Sequence, residues 1–345
     1  MTTHGGPPRG TVLVARLDNA GDVLLAGPAV RAVAAHARTV VILAGPHGSA
    51  AARLLPGVDA VLEWRAPWID PEPLPITAEH TEALLAMVRA CAPQAAVLLT
   101  SFHQSPLPLA LLLRLAGVSW IAAISEDYPG SLLDLRHRVG GDPPEAERAL
   151  SLVGAAGYEL PPGDDGRLAV RRPLPDVTNL TGAAGYIVVH PGASAPARQW
   201  PAPLCAQAVR ELVAEGHRVV ITGSARERRL TAQVAGHHAI DLGGRTDLPS
   251  LAAVLDAARV VVAGNTGPAH LAAAVGTPVV SLFAPVVPAA RWAPYRIPTV
   301  LLGDQHAPCR DSRARSCPVP GHPCLTGVAP AEVIAAVNEL METAG

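Results

Sequence analysis

The sequence predicts an α/β protein built from two Rossmann-like, doubly wound domains that face a cleft. At 345 residues the chain is long enough for two domains of ordinary size, each with its own core. In each half, continuous apolar runs alternate with helix-like stretches, which is typical of parallel sheets covered on both faces. A Pro- and Gly-rich stretch over 157–185 interrupts this alternation. We therefore predict domains at residues 1–175 and 176–345.

The first half carries the first set of alternating elements. The predicted strands are Thr11–Leu17, Thr39–Leu43, Ala60–Leu62, Ala95–Leu99 and Ser119–Ala123. The predicted helices are Val23–His36, Ser49–Leu55, Thr81–Cys91 and Leu107–Ala116. Right-handed crossovers between such strands produce a doubly wound sheet.

The second half repeats the alternation after the 157–185 linker, within which Leu168–Arg171 is predicted as an edge strand. The predicted strands are Tyr186–His190, Arg218–Thr222, Val260–Ala263 and Val279–Phe283. The predicted helices are Pro203–Glu215, Ala225–Ala235, Leu248–Ala257, Pro268–Val275 and Pro330–Met341. In a sheet of this kind, ligands bind outside the carboxyl ends of the strands.

Composition and charge exclude several classes of protein. Hydrophobic residues make up 49% and charged residues 16%, which is a globular balance rather than a disordered one. The net charge of -2 gives no reason to expect a nucleic acid as partner. The N-terminal segment MTTHGGPPRG is polar, and no apolar run reaches the roughly 18 residues that a membrane helix needs. We expect a cytoplasmic protein without a transmembrane segment.

An acidic residue follows the first predicted strand. Asp22 comes directly after Gly21, which lets the chain turn sharply from strand to helix. Asp is also common at a helix start, where its carboxylate bonds to backbone amides. Alternatively, Asp22 is a general base at the cleft edge, a task that needs a carboxylate within hydrogen-bond reach of a hydroxyl. The local sequence leaves both interpretations open.

A glycine-containing loop follows the first strand of the second half. The segment HPGASAPARQWP begins at His190 and offers backbone N–H groups and a helix N-terminus to an anion. Ser194 adds a hydroxyl donor, and Arg198 adds a permanent positive charge suited to a diphosphate. The alternative is a solvent-facing turn with a surface arginine.

A second candidate anion loop, GNTGPAH, follows strand Val260–Ala263. Thr266 is placed to cap the helix that begins near Pro268, which would leave free amides for a phosphate. His270 lies in the first turn of that helix, where it is either a buried packing residue or a hydrogen-bond donor to the ligand.

A further acidic residue, Glu227, follows strand Arg218–Thr222. It could accept hydrogen bonds from ribose hydroxyls, as acidic residues do in dinucleotide-binding folds. A first-turn Glu that is favoured by the helix dipole is the alternative. The local sequence does not separate the two.

These four sites together resemble glycosyltransferase family 9. The opening RLDNAGDVLLAGPAVRAV is similar to the strand, Gly-Asp-Val turn and Pro-containing helix of that family. HPGAS and RQWP resemble its phosphate loop, and GNTGPAHLAAAVGTPVVSLFAP resembles its nucleotide-sugar helix and the strand that follows. The resemblance implies the GT-B architecture and an inverting transferase with an ADP-activated sugar donor, typically a heptose.

The resemblance also implies roles for individual residues. Asp22 matches the general base, Glu227 matches the ribose-binding acid, and Arg198 stands where many members have a Lys that contacts the donor phosphates. The implied donor-binding set is Ser194, Arg198, Glu227, Asn265, Thr266, Gly267 and His270. Asn265 falls where heptosyltransferases often have Asp, which leaves the identity of the donor sugar open.

The expected partners are a nucleotide-diphosphate sugar, ADP-linked by resemblance, and a glycan, glycolipid or small-molecule acceptor. A lipid-linked acceptor would bring the protein to the inner face of the cell membrane. The acceptor is expected near the loop Ser125–Gly141, whose Arg136, His137 and Arg138 are otherwise a solvated face. Two alternatives for function are a nucleotide-sugar epimerase of the same architecture and a nucleotide-sugar binding protein without turnover.

No cofactor or catalytic metal is expected, because the sequence has no Asp-x-Asp pair to hold a divalent ion on a diphosphate. A segment from Cys309 to Cys324 carries three Cys and has His306 and His322 nearby. The segment lacks the paired Cys-x2-Cys spacing of structural zinc sites. A packed loop with reduced thiols is preferred over a zinc site.

Overall fold

The computed structural model describes residues 7–343, so part of the polar N-terminal segment, residues 1–6, lies outside the described residues, as do 344 and 345. The chain folds into two compact units, of which the first ends at Val170 and the second begins at Arg171. The sequence placed this boundary between residues 175 and 176. The structure places it earlier because Leu168 and Val170 are buried, whereas Arg172 pairs with Asp256 of the second unit at 2.6 Å.

The first unit is a parallel six-stranded sheet with helices between the strands. Its strands are β1 (Thr11–Arg16), β2 (Thr39–Ala44), β3 (Ala60–Glu63), β4 (Ala95–Leu98), β5 (Trp120–Ile124) and β6 (Leu135–His137). Its helices are α1 (Ala20–Leu25), α2 (Gly27–Ala34), α3 (Ser49–Leu54), α4 (Ala78–Cys91), α5 (Leu107–Leu115) and α6 (Glu145–Ala155). The strand order is β3-β2-β1-β4-β5-β6, so the order reverses between β1 and β4.

Two predicted elements, one in the first half and one in the 157–185 linker, are wrong. The predicted single helix Val23–His36 is two helices, because the chain breaks at Ala26 and restarts with Pro28 in the first turn of α2. A proline favours a helix start and disrupts an interior. The predicted edge strand Leu168–Arg171 forms no ladder, because the edge of the first sheet is occupied by β6.

The second unit has the same design. Its strands are β7 (Tyr186–His190), β8 (Val219–Ile221), β9 (Ile240–Asp241), β10 (Ala258–Gly264), β11 (Val279–Leu282) and β12 (Thr299–Leu302). Its helices are α7 (Thr178–Thr181), α8 (Ala202–Ala214), α9 (Arg228–Ala235), α10 (Leu248–Asp256), α11 (Gly267–Val275), α12 (Ala289–Trp292), α13 (Pro323–Thr326) and α14 (Pro330–Thr343). The strand order is β12-β11-β10-β7-β8-β9, which reverses between β10 and β7.

The central strands of both sheets are buried on both faces. Leu13 and Ile121 in the first unit, and Val188 and Val261 in the second, are fully enclosed by helices. This burial explains why these strands read as continuous apolar runs. The prediction of two Rossmann-like, doubly wound α/β domains is therefore confirmed for each unit. Among residues 7–343, no helix is long and apolar enough to span a bilayer.

The reversal of strand order determines where ligands are expected. In open parallel sheets, the crevice lies outside the carboxyl ends of the two strands that flank the reversal. In the first unit these ends lead into Asp18–Asp22 after β1 and into Ser101–Gln104 after β4. In the second unit they lead into the loops after β7 and β10. Most of the candidate residues lie in these four loops.

Candidate active site

Asp22 lies in the first turn of α1 and points to a buried arginine. The helix cap is Asn19, whose side chain makes no capping hydrogen bond. The Asp22 carboxylate instead accepts a hydrogen bond through Oδ1 from Nη2 of Arg16, at 3.1 Å. No described residue donates a hydrogen bond to Oδ2. The structure therefore places Asp22 in an ion pair, where the helix-cap interpretation expected bonds to backbone amides.

Arg16 is the centre of a cluster of charges that the sequence analysis missed. Its Nε lies 2.8 Å from Asp18 Oδ2, its Nη2 donates to Ser101 Oγ at 2.8 Å, and its Nη1 lies 3.5 Å from Glu145 Oε2. Burial alone disfavours the charged guanidinium, but the three carboxylates outweigh it and raise the pKa of Arg16 above its ordinary value. The residue stays protonated.

Asp18 is held on both oxygens. Its Oδ1 accepts a hydrogen bond from the Gln104 side-chain amide. Its Oδ2 forms an ion pair with Arg16 Nε at 2.8 Å and accepts a hydrogen bond from Ser101 Oγ at 3.4 Å. Burial raises the pKa of Asp18, while the neighbouring Arg16 charge opposes this effect. Asp18 thus has little freedom to exchange its partners.

Glu145 brings a third carboxylate from α6. Its two oxygens accept no hydrogen bond from the described residues, and Oε2 lies 3.5 Å from Arg16 Nη1 and 3.8 Å from Arg148 Nη1. Burial raises the pKa of Glu145, against the opposing effect of the two arginines. Arg148 in turn donates to the backbone oxygen of Thr100. α6 is thereby tied to the loop after β4.

One side chain of this charged cluster, that of Asp22, is partly exposed to solvent. The side chains of Arg16, Asp18 and Glu145 are 5%, 8% and 1% exposed, whereas that of Asp22 is 19% exposed. Asp22 is therefore the carboxylate of this group that a substrate hydroxyl can reach most easily. An arginine inside the apolar strand β1 was the available sequence signal. Nothing local connected it to Glu145, which lies far along the chain.

In the second unit, the loops after β7 and β10 touch. A Cβ atom on Gly264 would lie 2.8 Å from the backbone oxygen of Arg198, so only glycine permits this approach. Arg198 ends a short 3-10 helix, Pro196–Arg198, and its side chain is partly buried. Ser194 is exposed at the start of the same loop. The structure therefore brings the two predicted anion loops together.

The helix α11 begins at Gly267, with Asn265 and Thr266 between it and Gly264 at the end of β10. Thr266 occupies the cap position, but its side chain makes no capping hydrogen bond, contrary to the sequence prediction. Pro268 has no N–H, and the Ala269 N–H donates to the Thr266 oxygen at 3.0 Å. Among the described residues, the Gly267 N–H at the start of α11 therefore stays available to an anion. Asn265 is buried; its amide nitrogen donates to the Ala284 oxygen at 3.4 Å, and its Oδ1 has no hydrogen-bond partner among the described residues. His270 is buried on α11.

Glu227 contributes to a helix cap and also contacts the loop after β7. Its Oε2 accepts from the backbone N–H and the hydroxyl of Ser224, both at 2.7 Å, which forms a capping box. The same carboxylate lies against Gly192, where it leaves no room for a Cβ atom. Glu227 thus lies in the first turn, as the alternative to ribose binding expected, and the capping box is an addition that the sequence analysis did not predict. The ribose contact remains a prediction.

His190, at the end of β7, is a buried neighbour that the sequence analysis did not select as a site residue. Its Nδ1 lies 3.0 Å from Thr222 Oγ1. Burial lowers the pKa of His190, although the Glu227 charge opposes this. This contact joins the ends of β7 and β8, which lead into the loop with Ser194 and Arg198 and into the Ser224 turn.

The Cys309–Cys324 segment is hydrogen-bonded to the loop after β7. The Ala197 N–H donates to the Arg315 oxygen at 2.9 Å, and His322 Nε2 lies 3.0 Å from the Ala197 oxygen. Cys309 and Cys324 are buried, and burial raises the pKa of the Cys324 thiol to about 12. Among residues 7–343, no group of three or more His, Cys, Asp or Glu is arranged to hold a metal ion.

Two of the side chains expected near the acceptor, Arg136 and His137, contact other residues of the first unit. Arg136 donates from Nε to the Ser125 oxygen at 3.0 Å, and His137 Nε2 lies 3.1 Å from Ser151 Oγ. Burial and the nearby Arg148 charge lower the pKa of His137. These side chains hold the loop after β5 in place, and acceptor binding there remains a prediction.

In both Rossmann-like units, most of the predicted site residues lie near the point where the strand order reverses. The profile of glycosyltransferase family 9 (heptosyltransferase) matches residues 106–321. The chain belongs to that family.

Known relatives agree with this assignment. Lipopolysaccharide heptosyltransferase 3 of Escherichia coli is 30% identical over 165 residues, which cover 45% of this chain and 47% of that protein. The match thus spans about half the length of that relative. The glycosyl transferase family 9 structure from Veillonella parvula DSM 2008 has a TM-score of 0.79 at 15% identity and covers 96% of this chain and 97% of that one.

The E. coli ADP-heptose lps heptosyltransferase II structure has a TM-score of 0.74 at 20% identity and covers 97% of this chain and 99% of that one. At these identities the structures show a common fold, which confirms the GT-B architecture predicted from the sequence.

Proposed function

We propose that the protein transfers a sugar, a heptose or a close relative, from an ADP-activated donor to an acceptor hydroxyl with inversion of configuration. The observation that carries the proposal is the Asp22 carboxylate, which Arg16 holds at the carboxyl edge of β1 while Oδ2 has no protein donor among the described residues. The ADP-heptose name of the E. coli structural relative supports the donor class.

In the proposed reaction, the acceptor oxygen attacks the anomeric carbon from the face opposite the diphosphate. Asp22 Oδ2 takes the hydroxyl proton as the new carbon–oxygen bond forms. The bond from the anomeric carbon to the diphosphate oxygen breaks, and ADP leaves with that electron pair. A single displacement of this kind inverts the anomeric centre. General-base assistance of this type typically contributes ~10²–10⁴-fold in rate.

The leaving group gains negative charge in the transition state, and the second unit offers groups that would stabilise it. The amides near Thr266 and Gly267 at the start of α11 present positive partial charge. Arg198 adds a guanidinium from the adjoining loop, and Ser194 adds a hydroxyl. Fixed donors of this kind favour the departing diphosphate over the intact donor.

We further propose that Asn265 and His270 contribute to the donor site and that Glu227 contacts the ribose. The buried Oδ1 of Asn265, which lacks a protein donor among the described residues, supports its part. The reaction is proposed to need no divalent cation, because the sequence has no Asp-x-Asp pair. The thiols of the Cys309–Cys324 segment are proposed to stay reduced and to pack beneath the phosphate loop.

An assay of nucleotide release tests the proposal. ADP-heptose, GDP-mannose and UDP-glucose are each incubated with the protein, with and without a glycan and glycolipid extract of bacterial envelopes. We expect release of ADP from ADP-heptose that depends on the extract. Conversion of the donor sugar without release would indicate an epimerase, and binding without any turnover would indicate a binding protein. Either result would overturn the transferase proposal.

A further inference from the structure

Arg16 contacts side chains that come from four different parts of the first unit. Its Nη2 donates to Asp22 Oδ1 in α1 at 3.1 Å and to Ser101 Oγ after β4 at 2.8 Å. Its Nε pairs with Asp18 in the loop after β1, and its Nη1 faces Glu145 in α6. The guanidinium therefore has a fixed plane and a fixed position relative to Asp22.

We propose that Arg16 is a positioning residue for Asp22: it binds Oδ1 so that Oδ2 faces the acceptor hydroxyl, while Asp18, Ser101 and Glu145 hold the guanidinium. This inference rests on the proposed function, because it gives Arg16 a task in turnover only if Asp22 is the base.

The exposure of the partners favours positioning over a purely stabilising role. Buried ion pairs are weak contributors to stability, since apolar replacements of similar volume are often neutral or stabilising. Here Arg16 and Glu145 are enclosed, yet the cluster reaches solvent at Asp22. A cluster that only stabilised the fold would not need a solvent-exposed carboxylate. A general base does need one, because the acceptor hydroxyl must reach it.

Asp18 is the competing candidate for the base, and its contacts argue against it. Both of its oxygens are occupied, Oδ1 by Gln104 and Oδ2 by Arg16 and Ser101. A carboxylate in this position would have to release a donor before it could accept a proton. Asp18 therefore serves as a partner that orients Arg16.

The geometry also requires arginine rather than lysine. The partners of Arg16 are spread around a planar fork, with Asp18 at Nε, Glu145 at Nη1, and Ser101 and Asp22 at Nη2. A lysine ammonium is a single point charge at the end of a flexible stem. It can restore the charge near Asp22 but cannot hold all of these partners together.

The test compares Arg16→Gln, Arg16→Lys and Ser101→Ala in the wild-type chain, and Arg16→Gln in the Asp22→Asn chain. ADP release from ADP-heptose is followed with the active envelope extract and with water as acceptor. Arg89→Gln is the control, because Arg89 forms an exposed pair with Glu82. Thermal melting of each variant identifies any that fail to fold.

We expect Arg16→Gln to lower kcat roughly 10²-fold, the effect of a misplacement near 1 Å, with little change in the KM for ADP-heptose. Arg16→Lys should recover part of the rate, and Ser101→Ala should lower kcat several-fold. In the Asp22→Asn chain, Arg16→Gln should change the residual rate less than threefold. If Arg16→Gln fails to fold, the kcat values of Arg16→Lys and Ser101→Ala decide between a positioning role and a purely structural role for Arg16.

Two results would overturn the inference. One is an equal loss of kcat from Arg16→Gln in both chains, and the other is a change confined to KM or to melting temperature. Wild-type turnover by Asp22→Asn alone is a different outcome, because it would remove the base and with it the proposed mechanism.

Discussion

At the residue scale, Arg198 lies in a closely packed loop and is also the proposed contact to the donor diphosphate. Its backbone oxygen approaches Gly264, and its loop is bonded to the Cys309–Cys324 segment through Ala197. Its guanidinium is the permanent charge of that loop. Binding and loop structure can be separated only with ligands that differ in charge.

Arg198→Ala is therefore predicted to weaken binding of ADP much more than binding of adenosine. Charge-assisted hydrogen bonds contribute about 1.5–3 kcal/mol, so ADP should lose roughly ten- to hundredfold in affinity. Arg198→Lys should recover part of the loss, because the charge returns without the planar fork. Calorimetric titration of both ligands into the three proteins measures this. Equal losses for ADP and adenosine would show that Arg198 supports the fold of the loop instead.

At the scale of the elements, the contact between the loops after β7 and β10 depends on one glycine. Gly264→Ala would place a Cβ atom 2.8 Å from a backbone oxygen that cannot rotate away. We predict a loss of about 1–3 kcal/mol in the free energy of unfolding, as for other overpacked sites, together with weaker ADP binding. Urea unfolding and calorimetry provide the two measurements.

Gly154→Ala is the matched control for this substitution. Gly154 lies in α6, and a Cβ atom there would meet nothing within 4 Å. Alanine in a helix is favoured over glycine by about 0.5–1 kcal/mol, so this variant should be as stable as the wild type or more so. Similar behaviour of the two variants would show that the loops after β7 and β10 do not depend on close contact.

The sequence predicted those elements that carry a strong pattern. The central strands were found because they are buried on both faces, and α14 was found from its apolar stripe. The edge strands β6, β9 and β12 were missed, because they are short and only half-buried. The strand predicted at Leu168–Arg171 was wrong, because Leu168 and Val170 are buried in the alternating pattern of a strand but the segment pairs with no other strand.

In the candidate site, too, local sequence patterns were predicted and contacts that depend on tertiary packing were not. Asp22 was found because the Gly-Asp turn is local, but its partner Arg16 lies within a strand and its support from Glu145 depends on tertiary packing. The capping bonds of Glu227 and the absence of one at Thr266 also depend on side-chain geometry. Sequence periodicity contains no information on these contacts.

At the scale of the whole molecule, the two units repeat one plan with different chemistry. Each is a six-stranded parallel sheet, and each brings its candidate residues to the point where the strand order reverses. The first unit presents a carboxylate held by an arginine. The second presents backbone amides and Arg198, groups that bind anions. In the proposed mechanism, proton transfer and diphosphate binding therefore belong to separate units.

The measurement that tests this division most directly is acceptor-dependent ADP release from ADP-heptose by the wild type and by Asp22→Asn, both dialysed against EDTA. The wild type should remain active. Asp22→Asn should lose ~10²–10⁴-fold in turnover while its affinity for ADP stays within a few-fold of the wild type, because the base acts on the acceptor hydroxyl. Turnover by Asp22→Asn close to that of the wild type, or loss of wild-type activity in EDTA that magnesium restores, would contradict the proposed mechanism.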